Sequence, residues 1–139
     1  MSRTKKTTKK DVKESSRELT EAEWAIMKVV WAEEPCAAGT VQEALQKSKN
    51  WAYSTVKTFM DRMVGKGQLS TYSIRNLQLF TSNITEAQAK RSEILKTLKR
   101  AFDGTLTPMM QFLFENEKFS NKELKQLHKM VEKARTEKE

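Results

Sequence analysis

At 139 residues, with 37% hydrophobic and 32% charged, the chain has an ordinary globular composition, enough for one compact domain or two small ones, and its 26 Lys and Arg against 18 Asp and Glu leave a net charge of +8. A single Cys (Cys36) excludes an internal disulfide framework and a multi-Cys metal cluster, and a single His (His128) excludes a His-based triad or a multi-His zinc site within one chain. The longest uncharged run, Gly104 to Phe114, is far too short to span a bilayer, and the charged start lacks the apolar core of a signal peptide; the expectation is a cytoplasmic, cofactor-free protein with an acidic partner, no bound metal and no membrane contact.

Residues 1–16 hold six basic and two acidic side chains and one sizeable apolar one, Val12. Such a segment cannot bury enough surface to offset its ordering entropy. Residues 1–17 are therefore expected to form a disordered basic arm, either a solubilising tail or a source of extra phosphate contacts.

Residues 17–84 carry eight basic and seven acidic side chains, but the near balance hides a dipole. From 18 to 34 there are five acids and one base, Lys28; from 45 to 75 there are six bases and one acid, Asp61. That pattern suits a module that turns one face to a polyanion. Four capping boxes mark helix starts: Thr20 with Glu23, Thr40 with Glu43, Thr85 with Gln88 and Ser120 with Glu123. In each, the hydroxyl accepts from an orphan backbone N–H while the acid or amide reaches back.

The first helix is predicted over about 21–33, with Trp24, Met27, Val30 and Trp31 as its buried stripe and Pro35 as its end. The second, over about 41–48, turns Val41, Ala44 and Leu45 inward. The third, over about 53–65, has Val56, Phe59, Met60, Met63 and Val64 on its apolar face, and Gly65 and Gly67 supply its stop. The period then changes. Residues 69–74 and 78–82 are β-rich, with Arg75-Asn76 between them, and Asn tolerates positive φ, so a hairpin is predicted.

Three more helices follow, over about 86–102, 106–116 and 121–135, in a stretch with twelve basic and nine acidic residues. Ile94, Leu95, Leu98 and Phe102 form a stripe on the first. The second carries Leu106, Met109, Met110, Phe112, Leu113 and Phe114, apolar nearly all round and more than one neighbouring helix can cover. The third spaces Leu124, Leu127, Val131 and Ala134 as in a coiled-coil seam. A region this small and apolar suggests two interlocked copies, with Leu106, Met109, Met110, Leu113, Leu124, Leu127 and Val131 as dimerisation residues. The alternative is that these helices pack back on the preceding domain in a monomer.

The fold class is thus mainly α with a small β-hairpin: a winged helix-turn-helix domain over 18–84 followed by a three-helix dimerisation region over 85–139. In such a domain the third helix lies in the major groove and the hairpin touches the flanking backbone. Ser54, Thr55, Lys57, Thr58, Asp61 and Arg62 remain outside. Small hydroxyls permit close approach, and Lys can take a guanine edge or a phosphate. Asp61 either accepts from a cytosine N4 or orients Lys57 or Arg62, and the i, i+4 spacing of Lys57 and Asp61 favours a structural pair. Arg75 and Asn76 at the hairpin tip are the wing contacts. Tyr53 packs either on sugar–phosphate or on Trp51 as core. The candidate DNA-binding set is Tyr53, Ser54, Thr55, Lys57, Thr58, Arg62, Arg75 and Asn76, against the plainer reading of a solvated helix face. The partner is double-stranded DNA with an operator palindrome, met by a homodimer whose recognition helices lie a whole number of turns apart. An enzyme is not expected: the carboxylates lie on exposed helical faces and there is no Gly-rich phosphate loop.

Several motifs carry a resemblance. They are Leu19-Thr-Glu-Ala-Glu-Trp24-x-x-Met27-x-x-x-Trp31, Thr55-Val-Lys-Thr58 with Arg62, Lys66-Gly67, and Phe80-Thr81; further on, Phe102-Asp-Gly-Thr105 and Asn121-Lys-Glu-Leu124 also fit. On these, over about residues 18–135, the sequence resembles the bacterial penicillinase repressor (BlaI/MecI) family, to which the copper-responsive CopY repressors are related. The resemblance implies a dimeric winged-helix repressor of antibiotic-resistance genes, with Ser54, Thr55, Lys57 and Thr58 facing DNA and the C-terminal helices making the dimer. It also implies inactivation by a protease of a sensor pathway, at an Asn-Phe bond in the family that corresponds to Gln111–Phe112 here, with Gln as a departure. Ala52 departs too, standing where the family has a Ser able to cap the third helix, which leaves that cap to Asn50. The copper branch ends in a Cys-x-Cys pair and this chain does not, so copper sensing through such a pair is not expected. Cys36 reads as an incidental small residue. Two other readings stand beside the sequence-specific repressor: a non-specific architectural DNA-binding protein and a winged-helix protein-interaction module.

Overall fold

The computed structural model describes residues 17–138, so the expectation for the arm at 1–16 lies outside the described residues. The chain orders as α1 (Glu21–Glu33), α2 (Ala38–Lys49), α3 (Tyr53–Gly65), β1 (Leu69–Ile74), β2 (Leu77–Ser82), α4 (Glu86–Phe102), α5 (Leu106–Asn116) and α6 (Asn121–Lys138). It divides into two compact units between Leu95 and Lys96.

Three of the four capping boxes form. Thr20 and Glu23 exchange both bonds at the start of α1, as do Thr85 and Gln88 before α4 and Ser120 and Glu123 before α6. The fourth does not: α2 begins a turn earlier than predicted, at Ala38, with Ala37 as a cap that makes no side-chain bond, and Thr40 lies inside the helix. The cause is a non-local pairing. The Cys36 N–H donates to the Phe80 carbonyl at 3.1 Å and the Phe80 N–H returns to the Cys36 carbonyl at 2.8 Å, so a single antiparallel bridge ties the segment before α2 to β2 and fixes where the helix can start. Ala38 is consequently buried with Val41 and Leu45, while Ala44 is exposed. Asn50 does not cap α3. It closes α2 in a left-handed conformation (φ 52°), and α3 starts on Ala52 with no side-chain cap bond.

In the first unit the core gathers Ile26, Met27 and Val30 of α1, Val41 of α2, Val56, Met60 and Met63 of α3, Leu69, Phe80, Ile84 and Ala89. The predicted stripe on α1 is shifted: Glu23, Ile26, Met27 and Val30 are buried, and Trp24 and Trp31 sit at its margin. Each indole needs a partner for its N–H and so stays at an edge. Trp31 donates to the Ile84 carbonyl at 2.8 Å, Trp24 to Glu93 at 3.4 Å, and the two rings meet edge-on at 5.9 Å. Phe59 and Val64 of α3 are likewise only partly buried.

The predicted hairpin forms, its second strand starting one residue earlier at Leu77, and pairs from Leu69 opposite Ser82 to Ile74 opposite Leu77. Arg75 (φ 50°) and Asn76 (φ 67°) are both left-handed, the two-residue turn whose twist matches antiparallel strands. The Glu34 carboxylate accepts from the backbone N–H and hydroxyl of Ser82 at 2.8 and 3.1 Å, which pins the far end of the hairpin to the loop after α1.

In the second unit, α5 and α6 contain no buried residue. Phe102 meets Phe112 at 6.3 Å and Phe114 meets Phe119 at 5.3 Å. The turn out of α4 uses Asp103 (φ 52°) and Gly104 (φ 79°), with the Gly104 N–H on the Leu98 carbonyl at 2.9 Å. Of the predicted α4 stripe, Leu98 and Phe102 are half-buried and Ile94 and Leu95 exposed.

Candidate nucleic-acid interface

Three helices and a hairpin in this order make a winged helix-turn-helix, and α3 is the element that such a fold presents. Its placement depends on a charge that local patterning does not reveal. Glu23, in the first turn of α1, is 5% exposed, and its carboxylate accepts from the Lys66 ammonium at 2.6 Å, the Thr20 N–H at 3.0 Å and the Gln68 amide at 3.4 Å. Lys66 is the C-cap of α3 and Gln68 leads into β1, so one carboxylate joins the start of α1 to the junction of recognition helix and wing. Burial alone pushes the Glu23 carboxyl up; the Lys66 hydrogen bond, the Thr20 N–H, the Lys66 charge and the Gln68 amide outweigh it, and the group rests below the ordinary carboxylate range. A capping box explains only half of what Glu23 does.

With Val56, Met60 and Met63 turned to the core, α3 exposes Tyr53, Ser54, Thr55, Thr58, Asp61 and Arg62. Ser54, Thr55, Thr58, Phe59 and Arg62 line one shallow depression of about 260 Å³. Arg62 makes no ion pair among the described residues. Lys57 differs from its neighbours: it is half-buried, and its ammonium donates to both oxygens of Asp61 at 2.8 Å. Tyr53 is 53% exposed, while Trp51 packs on Phe59 at 5.2 Å, so Tyr53 is not the core partner of Trp51. Arg75 and Asn76 stand exposed at the hairpin tip.

The other candidates fall in the second unit. Met110, Phe114, Leu124, Leu127, His128 and Val131 line an open groove of about 410 Å³. Leu106 is exposed, and Met109 and Leu113 are half-buried. Gln111 and Phe112 lie within α5, both exposed, so the bond between them is in helical backbone. Cys36 is buried; burial and then the carboxylates of Glu34 and Glu33 push its thiol up, which holds it in the unreactive protonated form. Among the described residues no group of three His, Cys, Asp or Glu side chains could hold a metal ion, and no helix is long and apolar enough to cross a membrane.

The fold and its exposed polar third helix define a winged-helix protein of the kind that meets nucleic acid. The sequence profile of the penicillinase repressor family matches residues 19–133, and the chain belongs to that family. It is 27% identical over 121 residues to the penicillinase repressor of Bacillus licheniformis, covering 87% of this chain and 94% of that one. It is 22% identical over 116 residues to the methicillin resistance regulatory protein MecI of Staphylococcus aureus (strain N315), covering 84% and 94%. The solution structure of the DNA-binding domain of the repressor BlaI aligns with 28% identity and a TM-score of 0.46 over 52% of this chain and 88% of that one.

Proposed function

We propose that the chain is a cytoplasmic, sequence-specific transcriptional repressor that binds an operator dyad in double-stranded DNA as a homodimer. In this reading residues 18–84 bind DNA, with α3 in the major groove and the β1–β2 hairpin as wing, and residues 85–139 make the dimer. The observation that carries it is the outward face of α3, where three small hydroxyls and the guanidinium of Arg62, which makes no ion pair among the described residues, share one depression on a helix whose other face is core. Hydroxyls and a fork of N–H donors read base edges and phosphates. Family membership and the names of both relatives, a repressor and a regulatory protein, support the same reading.

Homodimerisation is supported by the uncovered apolar side chains of α5 and α6, since a contiguous apolar groove on a small unit marks an interaction surface. Inactivation by a sensor-pathway protease at Gln111–Phe112 belongs to the same proposal. Phe112 is 55% exposed, and its helical backbone requires local unwinding of α5 before cleavage.

Selection of bound duplexes from a random pool, followed by competition binding, tests the function. The expected result is a palindromic consensus preferred by roughly a thousandfold or more over random DNA. Equal affinity for all sequences overturns it in favour of an architectural binder, and no DNA binding at all favours a protein-interaction module.

A further inference from the structure

Asp61 is the sole acidic residue between Leu45 and Arg75, a stretch with six basic ones. It stands exposed on α3, one turn on from Thr58 and next in sequence to Arg62, outside the depression that those two share with Ser54 and Thr55. A carboxylate there is repelled by phosphates, so it weakens sequence-independent attraction to DNA. It also occupies the ammonium of Lys57 with both oxygens, at 2.8 Å each. The fork cancels one of the two cations on this face and leaves Arg62 as the other. Val56, Met60 and Met63 carry the buried face of α3, and Asp61 is exposed, so the core does not call for the carboxylate.

The chemistry of an ionised carboxylate narrows what it can meet. It only accepts hydrogen bonds. In the major groove guanine presents acceptors at O6 and N7 and thymine an acceptor at O4, all of which repel it, and the N6 donor of adenine has the N7 acceptor beside it. Cytosine presents the N4 amino group as a donor. We propose that Asp61 is a specificity-determining residue of the α3 face, which selects a cytosine through N4 and holds the Lys57 ammonium away from the phosphates. This rests on the DNA-binding reading given above.

The full-length protein and its Asp61→Ala, Asp61→Asn and Lys57→Met/Asp61→Ala variants test it, with duplex selection and with titrations of a random duplex across a salt series. Asp61→Ala frees Lys57, which adds about one phosphate contact. The random-duplex affinity should then rise about tenfold at roughly 0.1 M salt, and the slope of log K against log salt should steepen by about one. The same variant should lose the cytosine at one position of each half-site. Asp61→Asn should move that position towards adenine, because an amide pairs with N6 and N7 together. Adding Lys57→Met should return the salt slope to the wild-type value. A merely structural helix pair would leave slope and consensus where they are. Unchanged random affinity and an unchanged consensus in Asp61→Ala overturn the inference, as does a steepened slope that survives loss of Lys57. A wild-type protein with no sequence preference overturns the DNA reading itself, which keeps the two failures distinct.

Discussion

The Lys66 ammonium donates to the Glu23 carboxylate at 2.6 Å across 43 positions of sequence. Lys66 keeps half of its side chain in solvent and Glu23 almost none, so the carboxylate is the buried member and depends on this cation, the Thr20 N–H and the Gln68 amide for compensation. Removing a partner from such a group costs more than the bond itself contributes, because the remaining polar atoms stay desolvated. The pair holds the C-terminus of α3 and the root of β1 against α1, so it fixes the angle at which helix and wing are presented together.

A pH dependence follows from the Glu23 environment. Its folded pKa lies below the ordinary value of 4.5, so its stabilising contribution is complete above that value and is lost as pH falls through the folded pKa. Unfolding free energy from urea titrations should therefore decline below about pH 4.5. Glu23→Gln should cost about 1–3 kcal/mol at neutral pH, and the gap to wild type should narrow as the solution is acidified. A gap that stays constant down the series would contradict an ionised Glu23 in the folded state.

Phe80→Ala should be among the most damaging substitutions in the first unit. The ring is fully buried, and the backbone of the same residue exchanges two hydrogen bonds with Cys36. Truncation leaves a cavity at the point where β2, the loop before α2 and the core converge, at a cost of about 3–5 kcal/mol. Urea or thermal unfolding reads this directly; a loss under about 1 kcal/mol would mean that the site collapses without a cavity.

What was legible in the sequence had local causes. Ser/Thr boxes, a change of period from helix to strand, and Arg75-Asn76 between two β-rich runs all act within a few residues, and the helices at 21–33, 53–65, 86–102 and 106–116 and the hairpin formed where they pointed. The Lys57–Asp61 pair belongs to the same group, since its partners are one helical turn apart. Thr40 failed as a cap because the start of α2 is set by pairing with Phe80, on a strand forty residues further on. Glu23 was half-read for the same reason: its bond to Thr20 is local and its bond to Lys66 is not. Trp24 and Trp31 have core spacing, yet their N–H groups keep them at the rim, which an apolar count does not weigh.

The hairpin tip allows stability and DNA binding to be separated. Arg75 adopts φ 50°, a conformation that costs a residue with a Cβ about 1 kcal/mol and that Asn tolerates better. Arg75→Asn should leave unfolding stability unchanged or raise it by up to about 1 kcal/mol, while the loss of a wing cation weakens DNA binding and flattens the salt slope by about one. Retention of Arg at a strained position is then explained by its contact with DNA. A variant with full affinity and an unchanged slope would remove Arg75 from the interface.

Arg62 is the cation on the α3 face that makes no ion pair among the described residues, so its whole charge is available to DNA. Arg62→Ala should cost about 1–3 kcal/mol in operator affinity if the guanidinium takes a guanine edge, with relaxed preference at that position. If it takes phosphate instead, operator and random duplexes should weaken alike and the salt slope should fall by about one. Titration of both duplexes at two salt concentrations distinguishes these, and no change in either would place the contacts elsewhere on the fold.

Leu127 is half-buried in the groove formed with Met110, Phe114, Leu124, His128 and Val131, on a helix that otherwise exposes its side chains. Val131 is 57% exposed and Leu124 41%, a costly arrangement for a chain that stays monomeric. Leu127→Glu places a charge at the centre of this surface and should shift sedimentation equilibrium from dimer to monomer, since a buried unpaired carboxylate costs several kcal/mol. Helix content by circular dichroism should remain near wild type, because no residue of α5 or α6 is buried within the chain itself. Operator affinity should fall steeply while random-duplex affinity per protomer holds, as expected when two half-sites are no longer bound as one unit. Intact dimers in the variant would move the dimer contacts to another face of the helical unit.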